Sequence, residues 1–161
     1  MRAAVDASPL IYLTRIGRLD VLDQYEEVLV PPEVVSEIER GLEAGHPEAL
    51  QIRRLVEMGR IAVRKGGRPR SEWNLDRGEA AGLALALRVG VDEVVTDDRA
   101  AIGVAKYLGL RPVSIPFLLL RERRSGRLSQ EAFEGSLRRL LTEGYYLSPE
   151  FHHRLIEAGR T

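Results

Sequence analysis

The sequence predicts an α/β fold: a three-layer α/β/α arrangement with a mostly parallel central sheet, followed by a C-terminal helical extension. Two observations predict it. Up to residue 115, short apolar runs alternate with amphipathic stretches closed by glycine, and strands that alternate with helices pair in parallel. After Pro116 the strand-like runs stop, and only helical periodicity continues. The expected division is a core of residues 1–116 and an extension of residues 117–161, packed on that core or on a second copy of the chain.

Ala3-Ala4-Val5 reads as the first strand and ends at Asp6. Ser8 suits a helix cap and Pro9 a first turn, so a helix is expected over 9–16, broken by Gly17. A second short helix spans 18–25. Glu27–Val30 is a strand stopped by Pro31-Pro32, and a helix follows over 32–40, ended by Gly41. Pro47 and Gly59 bracket a helix over 47–58, and Ile61–Val63 is a short strand. Residues 64–70 hold two glycines, a proline and four bases, which predicts a flexible, solvated loop. Asp76 opens a helix over 77–89. A strand within 92–96, a helix over 99–108 and a strand near 112–115 complete the core. In the extension, helices over 117–125, 130–143 and 149–158 carry Phe133, Leu137, Leu140, Leu141, Phe151, Leu155 and Ile156, which need covering.

Composition narrows the class. The 161 residues suit one domain with a sizeable core. No cysteine is present, which excludes a disulfide framework and a thiolate metal site. The apolar runs fall short of a membrane span, and the residues before Asp6 read as core strand, so a cytoplasmic protein is expected. Net charge is zero, but 22 of the 24 bases are arginine and they cluster. Such clusters can hold phosphates without a global positive field.

Four acidic positions recur in comparable settings. Asp6 and the pair Asp97/Asp98 stand at strand ends; Glu37 and Glu79 flank the buried stripes of their helices. Converging carboxylates raise one another's pKa unless a cation separates them. Oxygen-only ligands suit a hard ion, Mg²⁺ or Mn²⁺, which can activate water against a phosphodiester. Each acid also has a plainer reading. Asp6 and Asp97 could cap helices, Asp76 and Glu79 could form a capping box, and Glu37 could be an ordinary flank residue.

The stretches Val5-Asp6-Ala-Ser-Pro-Leu-Ile-Tyr-Leu13, Pro32-Glu-Val-Val-Ser-Glu37-Ile, Asp76-x-Gly-Glu79-Ala-x-x-Leu-Ala-Leu and Val95-Thr-Asp97-Asp98-Arg resemble the four acidic motifs of PIN-domain nucleases, in order and spacing. The tail is similar to an uncharacterised branch of that family with a helical C-terminal extension. The resemblance implies a PIN-like fold and a metal-dependent ribonuclease like the toxin of VapBC-type toxin–antitoxin pairs, which are often dimeric. It implies Asp6, Glu37, Glu79 and Asp98 as the catalytic acids. The Thr-x-Asp pattern selects Asp98, and Asp97, at the x position, stands beside it as a further candidate ligand. The partners implied are RNA, a cognate antitoxin and a second copy of the chain. Candidate RNA contacts are Arg64, Lys65, Arg68 and Arg70 of the loop, Arg99, and the arginines of 121–127. Trp73 and Tyr145-Tyr146 could stack on bases but read better as packing. His46, His152 and His153 read as surface residues.

Two other classes remain to be weighed. A catalytically silent PIN-like module would bind RNA or a protein without cleaving. A phosphoryl-transfer protein of another α/β type would also place an aspartate at a strand end. The haloacid-dehalogenase signature needs an Asp two residues after the first, where Ser8 stands; a receiver needs paired acids before the phosphorylated Asp and a later lysine, and the only late lysine, Lys106, lies on a helix.

Overall fold

The computed structural model describes residues 1–161. Its centre is a wholly parallel sheet of β1 (Arg2–Val5), β2 (Glu27–Val30), β3 (Ala62–Val63), β4 (Glu93–Val95) and β5 (Pro112–Val113), in the order β3-β2-β1-β4-β5. β1 pairs with β2 on one side and β4 on the other, Ala4 lying opposite both Leu29 and Val94. The strand order therefore reverses at β1. In an open sheet of this kind, ligands enter the crevice outside the carboxyl ends of the strands at that reversal.

Alternate strand residues face opposite layers. Ala3, Val5, Val28, Val30 and Val95 join one core with side chains of α1 (Ala7–Arg15), α2 (Pro32–Glu43), α3 (Glu48–Glu57) and the extension. Ala4 and Val94 join a smaller one with Trp73, α4 (Arg77–Val89) and α5 (Arg99–Tyr107). The architecture is three layers, α/β/α. No helix is long and apolar enough to cross a membrane.

Several expectations shift. Asp6, not Ser8, caps α1: its backbone is extended, its Oδ1 accepts from the Ala7 N–H at 3.0 Å, and the helix starts two residues early. The segment after Gly17 is a 3₁₀ helix, Leu19–Gln24. α2 runs through Gly41 to Glu43, and the chain turns at Gly45 with a φ of 90°. The 64–70 loop is not free throughout. A Cβ on Gly66 would lie 2.8 Å from the Leu85 backbone, and the Arg88 guanidinium donates to the Gly66 carbonyl at 3.3 Å. Only glycine lets the loop lie this close to α4.

The extension is α6 (Ile115–Arg124), α7 (Gln130–Thr142) and α8 (Pro149–Arg160). Phe133, Leu137, Leu140 and Leu155 are buried in the same cluster as Leu10 and Leu13 of α1, so core and extension share one apolar interior. Leu141 instead faces solvent. Polar ties reinforce this packing at both edges of the sheet. At the amino edge, buried Glu93 of β4 accepts from both terminal nitrogens of Arg121, at 2.9 and 2.8 Å, and from the Tyr25 hydroxyl at 2.6 Å. At the carboxyl edge, Asp97 Oδ1 accepts from the Ile115 N–H at 3.1 Å and from the Tyr145 hydroxyl.

Candidate functional site

The site is built outward from the ends of β1 and β4. Parallel pairing continues one residue beyond β1, the Asp6 N–H donating to the Val95 carbonyl at 3.0 Å. That bond fixes Asp6 at the carboxyl edge, beside Thr96. The Thr96 hydroxyl donates to Asp6 Oδ2 at 3.3 Å and accepts from the Asp98 N–H at 3.4 Å. Asp98 then caps α5, its Oδ1 accepting from the Ala101 N–H at 2.9 Å. Thr96 thus links two of the predicted acids, a role its place in Thr-x-Asp could have suggested.

α4 delivers the next acid. Asp76 caps it by accepting from the Glu79 N–H at 2.9 Å. Only this half of a capping box forms, and Glu79 lines a small crevice with Asp6, Gly82 and Thr96. α2 packs against α4, and the Glu37 carboxylate lies over Gly78, where a Cβ would stand 3.6 Å from Oε1.

These acids load one another. Burial raises the Asp6 carboxyl to about 6, and the charges of Asp76 and Glu37 add to it. Burial likewise raises Glu79 to about 7, with Asp76, Asp98 and Asp6 adding. Glu37 is raised by burial and then by Asp76. Asp76 belongs to this linked set, although its sequence reads only as a cap. Its place one turn before Glu79 was the available signal. None of the five acids takes part in an ion pair, although the chain forms many. An all-oxygen donor set with no ion pair of its own, only Arg40 acting on Glu37 from further off, fits a hard divalent cation. As they lie, however, no three such side chains are grouped closely enough to hold one ion.

Asp97 is not among them. Its carboxyl is raised to about 6 by burial, not by the other acids, its Oδ1 is committed to the extension, and its Oδ2 is buried without a partner. The placement therefore separates Asp97 from the candidate metal ligands and leaves Asp98 with the cluster. Of the candidate RNA contacts, Arg64 is drawn to Glu27 at 3.0 Å and Arg70 lies 3.5 Å from Glu72. Lys65, Arg68 and Arg99 are exposed and unpaired. In the extension, Arg121 and Arg127 are engaged by Glu93 and Glu122. Trp73 is core, Tyr145 packs edge-on against Tyr12, and Tyr146 is exposed. His152 is half-buried; His46 and His153 are exposed.

A family model described as a PIN domain matches residues 2–160. Among solved structures, a PilT N-terminus domain protein from Sulfolobus solfataricus is similar at 21% identity with a TM-score of 0.53, covering 73% of this chain and 90% of its own. PAE2754 from Pyrobaculum aerophilum is similar at 22% identity with a TM-score of 0.53, covering 75% of this chain and 97% of its own. At these identities the likeness speaks for the fold. No curated protein matches.

Proposed function

The chain belongs to the PIN-domain family, generally nucleases that use divalent metals, and from that premise we propose that it is a metal-dependent endoribonuclease. The observation that carries this reading is the acid set without an ion pair at the β1/β4 crevice, in which Asp6 and Glu79 are pushed up to about 6 and 7. Asp6, Glu79 and Asp98 would have to draw together to hold Mg²⁺ or Mn²⁺, with Glu37 beside them. The ion would supply an activated water and offset charge growing on a phosphodiester. The chain's own residues orient these groups: Thr96 holds Asp6 and the Asp98 backbone, and Asp76 secures the first turn of α4. The exposed Lys65, Arg68 and Arg99 would meet RNA phosphates. By the same family reading it acts as the toxin of a toxin–antitoxin pair, as a homodimer in the cytoplasm.

A second reading has its own support. A catalytically silent module that binds RNA or a protein would not need three grouped ligands, and three are not grouped here. A cleavage assay on single-stranded RNA, with Mn²⁺ and with EDTA, separates the two. Asp6→Asn and Asp98→Asn each keep the side chain's shape but remove a ligand charge, and each should lower metal-dependent cleavage by at least about 10²-fold, the scale of one lost transition-state interaction. Cleavage in EDTA, or cleavage that survives both substitutions together, would rule out the mechanism. A metal-loaded protein that cuts no RNA would leave the silent module.

A further inference from the structure

A groove of about 410 Å³ lies where the C-terminal end of α1 meets α7, remote from the acids. Arg18, Arg138 and Arg139 wall it; Ala132, Gly135 and Ser136 floor it; no acidic side chain lines it. None of the three arginines takes part in an ion pair. Two of them are held in place instead by neutral acceptors. The Arg18 Nε–H donates to the buried Ser136 hydroxyl at 3.1 Å, and that hydroxyl donates onward to the Ala132 carbonyl at 2.8 Å. Arg139 donates to the Ile16 and Arg15 carbonyls at 3.1 and 2.9 Å, closing the end of α1. Both terminal nitrogens of Arg18 and the whole exposed guanidinium of Arg138 are left for a ligand.

The floor points the same way. A glycine inside a helix costs about 1 kcal/mol relative to alanine. Gly135 has neither a positive φ nor a crowded neighbour to require it, since a Cβ there would meet only the far end of Arg138 at 3.8 Å. A side chain there would take up part of the groove that Gly135 lines.

We infer that this groove binds the phosphates of a nucleic-acid strand, recognised by charge and not by base. Guanidinium forks match phosphate oxygens. The lining has no aromatic ring to stack a base, and its two apolar residues, Ile16 and Ala132, make no pocket for a peptide's anchor side chain. The nine residues of α1 place the groove about 14 Å along the helix from the end that bears Asp6. The inference rests on the nucleic-acid part of the proposed function, and not on cleavage.

The test is fluorescence anisotropy of a labelled single-stranded RNA in EDTA, where metal-dependent cleavage is silenced, over a range of salt. Arg18→Gln and Arg138→Gln should each weaken binding about fivefold at 0.1 M salt and lower the slope of log K against log salt by about 0.7, the contribution of one single-strand phosphate contact. The Arg138 side chain is exposed and makes no hydrogen bond, so its variant folds even if Arg18→Gln disturbs the α1–α7 junction. Arg138→Lys should recover most of the slope. Arg154→Gln, an exposed charge loss on α8, should leave affinity and slope unchanged. Inorganic tripolyphosphate serves as the competitor. Displacement of RNA by tripolyphosphate from wild type, but not from Arg138→Gln, supports the groove. Wild-type affinity and slope in Arg138→Gln, no RNA binding by wild type, or tripolyphosphate binding without RNA binding would each overturn it.

Discussion

The substitution Asp6→Asn should stabilise the metal-free protein, and by an amount that depends on pH. Folding raises the Asp6 carboxyl from 3.8 to about 6, so the folded state holds this proton more tightly than the unfolded chain does. Stability from this group is therefore fully present below about pH 4 and is lost as pH rises through about 6. At 1.36 kcal/mol per unit, the loss reaches about 3 kcal/mol by pH 8 and only about 0.6 kcal/mol at pH 4. Asparagine never ionises and caps a helix as well as aspartate does, so α1 keeps its start. Disturbing the 3.3 Å bond from Thr96 costs about 1 kcal/mol. The net gain is about 2 kcal/mol at pH 8, or roughly 4–8 °C in melting temperature for a chain of this length, and close to nothing at pH 4. Thermal unfolding of wild type and Asp6→Asn in EDTA at the two pH values measures it. A variant that is less stable at pH 8, or whose gain does not shrink between pH 8 and pH 4, would refute the claim that Asp6 is held ionised against its surroundings.

Three further outcomes follow from the same structure. Millimolar Mn²⁺ or Mg²⁺ should raise the wild-type melting temperature, by about 2.7 kcal/mol of stability at a hundred times Kd, and should do much less for Asp6→Asn; equal responses would mean that Asp6 holds no ion. Arg121→Ala should cost about 3 kcal/mol, because it removes both bonds from the nearer guanidinium and leaves buried Glu93 only the Tyr25 hydroxyl and the more distant Arg111, at 3.6 Å. Pairing it with Glu93→Gln should recover part of that loss in urea unfolding, and an additive double variant would argue against the coupling. Truncation after Ile115 removes Phe133, Leu137 and Leu140 from the interior shared with Leu10 and Leu13, so the product should be insoluble or unfolded; a soluble fragment with a cooperative melt would show the core to be self-sufficient.

What the sequence disclosed divides by range. The start of α4 was legible to the residue because its signal is local, Asp76 capping it, and the structure closes the other end at Gly90, with a φ of 76°. The start of α1 was not, since Ser8 and Asp6 are both competent caps. The choice falls to Asp6 because β1 is held by pairing with β4, the last bond running from Asp6 to Val95, distant in sequence. Gly41 reads as a stop, but a helical glycine costs only about 1 kcal/mol, and the burial of Val34 and Ile38 carries α2 past it. In the same way, the resemblance offers Asp97 and Asp98 together, while the groups that claim Asp97 lie 18 and 48 residues further on.

That non-local claim changes what the tail is for. Thr96, Asp97 and Asp98 are consecutive, and each is committed in a different direction. Thr96 reaches back to Asp6, Asp97 reaches into the extension, and Asp98 starts α5. A backbone of three residues cannot move at one of these points without moving at the others, since each peptide leaves only two soft torsions per residue. The buried Asp97 Oδ2 has no partner of its own, so a displacement that broke the bonds to Oδ1 would leave a whole carboxyl unsatisfied in the interior, at a cost of several kcal/mol. The extension therefore does more than cover α1. Through Ile115 and Tyr145 it holds Asp97, and so ties the tail to the turn from which Asp98 is presented.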